Sequence, residues 1–314
     1  MSFLSTAVQE VLEQGPFCAV ATNTPRGPHC TPLVFTYSGG RVWLTTSRNS
    51  VKTRAWRVDP SVAGLVKHGD LAVTFTGTVK TYDALDRGTW SAAVAGATSI
   101  ARAMAGFSRK NAKFFAGYAL DARQVPLAWA PPGRVFVGVD LERTALLDER
   151  GVQEGRGRWG GDVRSHATFR RARDGEDPLA KLPPEIAQEL GRTGVGSLAV
   201  VGERGPVVVP VRWRAESSVL YAALPADTLA LSGAGPDAPV ALTVDKVSAW
   251  RARDMVGAMI QGTGACFVLD ELGSGAKTAR TLATSLHPDA RALVRITPER
   301  LVWWKGWSSG SALA

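Results

Sequence analysis

The chain has 314 residues, 45% of them hydrophobic, and carries 37 Lys and Arg against 28 Asp and Glu, a net charge of +9. That length and apolar content exclude a disordered chain and allow two ordinary domains, or one large one, around a sizeable core. The positive charge suits an anionic partner, small molecule or nucleic acid, but no long basic run concentrates it. The densest cluster, Arg156 to Arg173, is Gly-rich and reads as a solvated linker.

Ser2 to Gln14 has a helical apolar period that ends at Gly15-Pro16. Its Glu10 and Glu13, and the lack of a basic flank, argue against a signal peptide. Phe17 to Thr22, His29 to Tyr37 and Arg41 to Thr45 read as three strands of an antiparallel meander, with turns at Asn23 to Pro28 and Ser38 to Gly40. Pro32, inside the second strand, places that strand at a sheet edge, a bulge or a strand start. A short helix follows and stops at Pro60. Ser61 to Leu65, Leu71 to Thr76 and Thr78 to Tyr82 continue the sheet. Ala84 to Gln124 is Ala-rich and reads as one or two helices; its most apolar part, Ala92 to Phe107, is interrupted by Arg102 and is too short and too rich in Ala and Gly to span a bilayer. Arg134 to Leu147 returns to strand. In the second half, helices are predicted at Pro183 to Leu190, Leu229 to Gly233 and Lys277 to Thr284. Strands are predicted at Ser197 to Val201, Pro206 to Arg214, Val219 to Ala223, Val240 to Val244 and Ala249 to Gly262, with a last strand pair over Ala292 to Lys305.

The halves echo each other. G-P-H-C-T-P at Gly27 to Pro32 recurs as G-P-V-V-V-P at Gly205 to Pro210, with an aromatic three residues beyond each second proline, Phe35 and Trp213. Gly77-Thr78 recurs as Gly262-Thr263, and Val137 to Arg143 as Val294 to Arg300. Three matches in one order indicate a duplicated β-domain. The first copy holds extra residues between its Gly-Thr and its Glu-Arg, which are the Ala-rich helical stretch. The expected domains are 1–150, with a helical insert at about 84–124, an Arg/Gly-rich linker at 151–180, and 181–314.

Leu44 to Pro60, L-T-T-S-R-N-S-V-K-T-R-A-W-R-V-D-P, runs from a strand end through hydroxyl residues into a helical turn with Lys52, Arg54 and Arg57. Free N–H groups at a helix start, with Lys and Arg close by, suit a phosphate; a capped helix with a solvated basic face accounts for the same residues. The second copy's counterpart, Ala222 to Pro236, has no Lys or Arg. One anion site per chain is therefore expected, with the second barrel as a wall.

In their order, A-V-A-T at Ala19 to Thr22, G-P-H-C-T-P-L-V-F, G-G-R-V-W-L-T-T, S-V-K-T-R-A-W-R-V-D-P-S-V and V-T-F-T-G-T-V-K resemble the split β-barrel flavin-binding superfamily, which includes pyridoxamine 5'-phosphate oxidase-like proteins and flavin/deazaflavin-dependent oxidoreductases. The second copy resembles it more loosely, through G-P-V-V-V-P-V-R-W, W-R-A-R-D-M and G-T-G. The resemblance implies a mainly β fold with helices (α+β), as two tandem split β-barrels packed as an intramolecular pseudo-dimer. It implies a cofactor at the seam between the barrels. Thr45, Thr46 and Ser50 would bond its phosphate, Lys52 and Arg54 would neutralise it, and backbone around Leu33, Val34 and Phe35 would line the ring. Trp250 or Arg251, or Arg253, would cover it from the opposite barrel.

The implied activity is hydride transfer between FMN, or a deazaflavin, and a small organic substrate, the ring supplying the chemistry and the protein the orientation. A non-catalytic flavin- or haem-binding protein is the alternative; His29, His68, His166 and His287 are the histidines available to haem. No metal site is legible, and G-S-G-A-K-T at Gly273 to Thr278 lacks phosphate-loop spacing. Neither nucleic acid nor membrane is expected as a partner, and the chain is expected to be a monomeric pseudo-dimer or a homodimer. Cys18, Cys30 and Cys266 form no C-x-x-C and read as reduced core thiols of a cytoplasmic protein, Cys18 and Cys30 being candidates to face each other across paired strands. Trp303, Trp304 and Trp307 are expected at the seam.

Overall fold

The computed structural model describes residues 4–83, 85–121, 123, 133–172, 175–248 and 251–314, with Ala92 as backbone alone. The first half runs α1 (Thr6–Gln14), β1 (Cys18–Thr22), β2 (His29–Leu33), β3 (Phe35–Ser38), β4 (Arg41–Ser47), α2 (Val51–Trp56), β5 (Ser61–His68) and β6 (Leu71–Tyr82). Then come α3 (Trp90–Ala95), α4 (Ala97–Lys110), α5 (Ala112–Leu120), β7 (Arg134–Asp148) and β8 (Gly151–Arg156). The second half repeats this plan: α6 (Pro184–Leu190), β9 (Thr193–Gly202), β10 (Gly205–Glu216), β11 (Val219–Leu224), α7 (Ala226–Ala230), β12 (Asp237–Lys246), β13 (Val256–Val268), α8 (Ala276–Leu286), β14 (Ala292–Lys305) and β15 (Ser308–Leu313). The fold is mainly β with helices, as two tandem split barrels.

Local chemistry sets several boundaries. Ser5 caps α1, its Oγ accepting the Val8 N–H at 3.3 Å, and Gly15 ends it before Pro16. Val8, Val11 and Leu12 form the buried face of α1, against the first barrel's core. The glycines of the two Gly-Thr pairs have a specific role. Gly77 and Gly262 sit at matching β-bulges, where the β6–β7 ladder shifts between Thr76 and Gly77 and the β13–β14 ladder between Gln261 and Gly262. A Cβ on Gly77 would run into the Asp140 carbonyl, and one on Gly262 into the Thr297 carbonyl.

His29 to Tyr37 is not one strand. The sheet order of the first half is β2-β1-β5-β6-β7-β4-β3, so the chain leaves one edge at Leu33 and rejoins the other at Phe35. The meander is thus two hairpins, β1–β2 and β3–β4, on opposite edges, and Pro32 lies on an edge strand as expected. In the second half the equivalent strand, β10, is unbroken. It pairs with β9 and β11, and β11 also pairs with β14, which closes a six-stranded barrel. Ala292 to Lys305, expected as a strand pair, is the single strand β14, paired to β15. The stretch read as linker from residue 151 begins as strand β8. Beyond it, Gly160, Arg164, His166 and Phe169 donate backbone N–H groups to Leu231, Ala234, Cys266 and Ser274 of the second half.

The two barrels share a core. Ala21, Cys30, Leu65 and Leu147 of the first pack with Val207, Val209, Leu242 and Met259 of the second. The seam is pseudo-symmetric. The Thr74 hydroxyl donates to the Val208 carbonyl at 2.7 Å, while the Cys30 N–H meets Met259 Sδ at 3.1 Å; Cys30 and Val208 are equivalent in the repeat, as are Thr74 and Met259. This is the isologous contact of a homodimer made within one chain. All three cysteines are free and buried. Cys18 and Cys30 do not face each other: Cys18 pairs with Leu33 and points into the first core, and Cys30 pairs with Ala21 and points into the seam. Of the tryptophans expected at the seam, Trp307 packs on Tyr118 of the first half with ring centroids 4.9 Å apart, and Trp303 and Trp304, over Gly310 and Gly257 of the second barrel, pack against the shared core. Among the described residues no helix is long and apolar enough to cross a membrane.

Candidate functional site

The break at Val34 organises the site. The β3–β4 ladder ends at Phe35 opposite Leu44, so Val34 and Thr45 would be the next pair and Leu33 and Thr46 the one after. Antiparallel register therefore brings the expected ring-lining segment beside the expected phosphate loop. Thr45 and Thr46 are still held on their other side by Phe136 and Val135 of β7. Beyond Ser47 the chain turns into α2, capped by Ser50, whose Oγ accepts the Thr53 N–H at 3.1 Å. The Thr46 hydroxyl donates to Ser50 Oγ at 3.2 Å, and the Thr53 hydroxyl to the Ser47 carbonyl at 2.8 Å.

Lys52 and Arg54 lie on different sides of α2. Two residues apart on a helix, they point to opposite sides. Arg54 is exposed. Lys52 is 2% exposed, and its Nζ crosses to the Thr31 hydroxyl on β2 at 2.7 Å, spanning the gap left by the break. Burial pulls its pKa down from the ordinary 10.5 to about 8. A second cation, absent from the sequence expectation, closes the β7 side. Partly buried Arg134 donates from Nε to Thr45 Oγ1 at 3.1 Å and from Nη2 to the Thr45 carbonyl at 2.9 Å. Neither Lys52 nor Arg134 has a carboxylate partner among the described residues, whereas Arg48, in the same loop, is held by Asp83 through two bonds of 2.6 Å. Cations removed from water are ordinarily paired. Two that are hydrogen-bonded only to threonine oxygens, on either side of a hydroxyl loop, fit a group that brings its own negative charge. His29 lies on the same face of β2 as Thr31; burial, then Lys52 and Arg300, push its pKa far down, so it is neutral.

The ring-lining segment is covered. Phe35 is fully buried in the first core, and Leu33 packs against that core. Val34 faces an aromatic cluster with Phe17, Phe107, Phe114 and Tyr118, completed from the second half by Ala252, Met255 and Trp307. Phe107, Phe114 and Tyr118 of this cover come from the helical insert. Asn111, between α4 and α5, donates from Nδ2 to the Phe35 carbonyl at 3.2 Å, and Lys110 Nζ lies 3.6 Å above the Phe35 ring. Arg251, expected over the cofactor, faces Asp121 at the end of α5, with Nη2 3.6 Å from Oδ1; Arg253 approaches the same oxygen at 3.5 Å. Trp250 lies outside the described residues. The structure thus gathers Leu33, Val34, Phe35, Thr45, Thr46, Ser50 and Lys52 around the break, leaves Arg54 on the surface, and sets Arg251 against the insert.

Residues 4–125 match the sequence family described as pyridoxamine 5'-phosphate oxidase. No curated protein matches the chain. Solved structures with similarity include a pyridoxamine 5'-phosphate oxidase-related, FMN-binding protein from Nostoc punctiforme, at 15% identity and TM-score 0.35, covering 49% of this chain and 88% of that one. A conserved hypothetical protein from Mycobacterium tuberculosis is 21% identical, with TM-score 0.33 over 46% of this chain and 86% of its own. An FAD-binding protein from Mesorhizobium loti is 18% identical, with TM-score 0.31 over 46% of this chain and 94% of its own. Each of these three matches covers just under half of this chain.

Proposed function

We propose that this chain, a tandem member of the split β-barrel flavin-binding superfamily, binds one phosphorylated flavin-type cofactor at the break in its first barrel and serves as an oxidoreductase for a small organic substrate. The observation that carries this reading is the pair of cations without carboxylates, Lys52 and Arg134, on either side of Thr45, Thr46 and Ser50. They would hold the phosphate, with Arg54 outside the set. The ring, FMN or a deazaflavin, would lie toward Val34, with the insert and Trp307 keeping water from it. When bound, the flavin supplies the hydride chemistry; the chain's own part is to bind, orient and desolvate. No side chain is assigned as acid or base. The three unpaired buried thiols suit a reducing compartment such as the cytoplasm.

The second copy supports a single site. Its strand β10 has no break, and α7 carries no cation. The test is flavin titration of Lys52→Met, Arg134→Met and Arg54→Ala, each checked for folding by circular dichroism. Weakening of about tenfold or more is expected from the first two, with Arg54→Ala within about twofold of wild type, since a charge-assisted hydrogen bond contributes roughly 1.5–3 kcal/mol. If Arg54→Ala alone abolishes binding, the phosphate lies on the outer face of α2 and the assignment is wrong.

A further inference from the structure

Two neighbouring cavities lie under the insert, against the first barrel. The larger, about 630 Å³, is walled by the end of α1, by Thr36, Tyr37 and Ser38 of β3, and by α4. The smaller, about 230 Å³, shares Glu13, Gln14 and Lys110 with it and continues to Phe17, Val34 and Phe114. Together the two outline a groove from the surface at α4 toward Val34, with Lys110 in the wall that they share.

Its two ends differ chemically. Arg102, Gly106, Arg109 and Lys110 follow the four- and seven-residue spacing that puts them on one stripe of α4. Arg102 and Arg109 are exposed and make no ion pair or hydrogen bond among the described residues. Among the described residues, Glu13 is the one carboxylate lining either cavity. The inner end is apolar, with Phe17, Val34 and Phe114 each less than 10% exposed. Gly106 sits mid-helix, where glycine costs about 1 kcal/mol relative to alanine. An added Cβ would make one ordinary contact, with Thr36 Oγ1 at 3.7 Å, so no clash within the protein requires a glycine here. Gly106 and Thr36 both line the larger cavity, and the missing side chain leaves that cavity wider.

We propose that this groove binds a small anion with an apolar body, its carboxylate, sulfonate or phosphate head between Arg102, Arg109 and Lys110 and its body against Phe17, Val34 and Phe114. That this ligand is the substrate rests on the flavin reading; the groove itself does not. Lys110 stands where the two ends meet. Its Nζ donates to the Leu12 carbonyl at 3.1 Å, and burial lowers its pKa to about 8 against the opposing pull of Glu13, so it is charged at neutral pH and makes no ion pair among the described residues.

The test uses two fluorescent probes of nearly the same body, 8-anilinonaphthalene-1-sulfonate and the neutral N-phenyl-1-naphthylamine, on the full chain. The sulfonate probe is expected to bind once per chain, at least tenfold more tightly than the neutral one. Arg102→Glu/Arg109→Glu should weaken it at least tenfold, while Arg170→Glu/Arg280→Glu, an equal charge change on the second half, should stay within twofold. Gly106→Leu, which fills the groove while raising helix propensity, should abolish binding of both probes. The proposal is overturned if Gly106→Leu binds the sulfonate probe like wild type, or if the two charge-reversed pairs weaken it equally. Flavin titration of the same wild-type protein separates the two readings. Flavin uptake without probe binding removes the groove alone; probe binding without flavin uptake removes the substrate role and leaves the groove.

Discussion

Lys52→Met is the most informative single change, because stability and binding should move in opposite directions. The depression of the Lys52 pKa from 10.5 to about 8 corresponds to roughly 3 kcal/mol, at about 1.4 kcal/mol per tenfold change in proton affinity. Below pH 8 the folded chain carries that full cost of a buried charge. The unfolded lysine titrates near 10.5, so between 8 and 10.5 the unfolded chain holds the additional proton and wild-type stability rises with pH. Above 10.5 both states are neutral and the effect is absent. Methionine keeps the length and removes the charge, while half-buried Thr31 can turn its hydroxyl to water. Lys52→Met should therefore be about 1–3 kcal/mol more stable than wild type at pH 7, and the difference should vanish on approaching pH 10.5. Urea unfolding at several pH values measures this, and Lys110, also lowered to about 8, cancels in the difference. Flavin affinity should fall at least tenfold in the variant, and in wild type it should fall as pH rises through 8. A variant that is less stable at pH 7, or a stability difference that persists unchanged to pH 10.5, refutes the buried and uncompensated placement.

Three further outcomes follow from the geometry. Gly77→Ala and Gly262→Ala should each lower stability by about 3 kcal/mol or more, because the new methyl meets a backbone carbonyl; Gly39→Ala, at φ +62° in open space, should cost about 1 kcal/mol. Chemical denaturation of the three variants makes the comparison, and a mild effect at either bulge would break the equivalence of the two copies. Asn111→Ala removes the bonds to the Phe35 and Phe107 carbonyls and should cost about 1–3 kcal/mol, felt mainly by the insert; faster amide exchange confined to α4 and α5 is the signature, and unchanged protection there would contradict the docking. Separate expression of 1–157 and 158–314 should yield aggregates or associated halves, because the largest core cluster draws on both; a dispersed, monomeric first half by light scattering would show the seam to be dispensable.

Much of the fold was legible because repetition carries it. Gly77 and Gly262 mark equivalent bulges, and the motifs at Gly27 and Gly205 open equivalent hairpin strands. The break at Val34 was not legible. Leu33, Val34 and Phe35 are continuously apolar, so no turn residue signals that the chain changes sheet edge there, and Pro32 marks an edge without saying which. The burial of Lys52 was hidden for a similar reason: a lysine on a short helix is ordinarily solvated, and only its bond to Thr31, distant in sequence, turns it inward. That Lys52 and Arg54 point apart was in principle readable from their spacing. Arg134 carried no local signal, since its role comes from the β4–β7 register that sets Ser47 opposite it. The insert was legible as helix but not as a cover. The one polar hint was Asn111 among Phe107, Phe114 and Phe115, and it is the residue that docks the insert on Phe35.

The central claim, one flavin-type site in a chain with two barrels, is tested most directly by the stoichiometry of cofactor uptake. Purified protein titrated with FMN, and separately with a deazaflavin, and followed by absorbance and by flavin fluorescence, should saturate at one cofactor per chain with at least one of the two. Saturation at two per chain would contradict the asymmetry between the broken and the closed barrel, and no uptake of either would contradict the function itself.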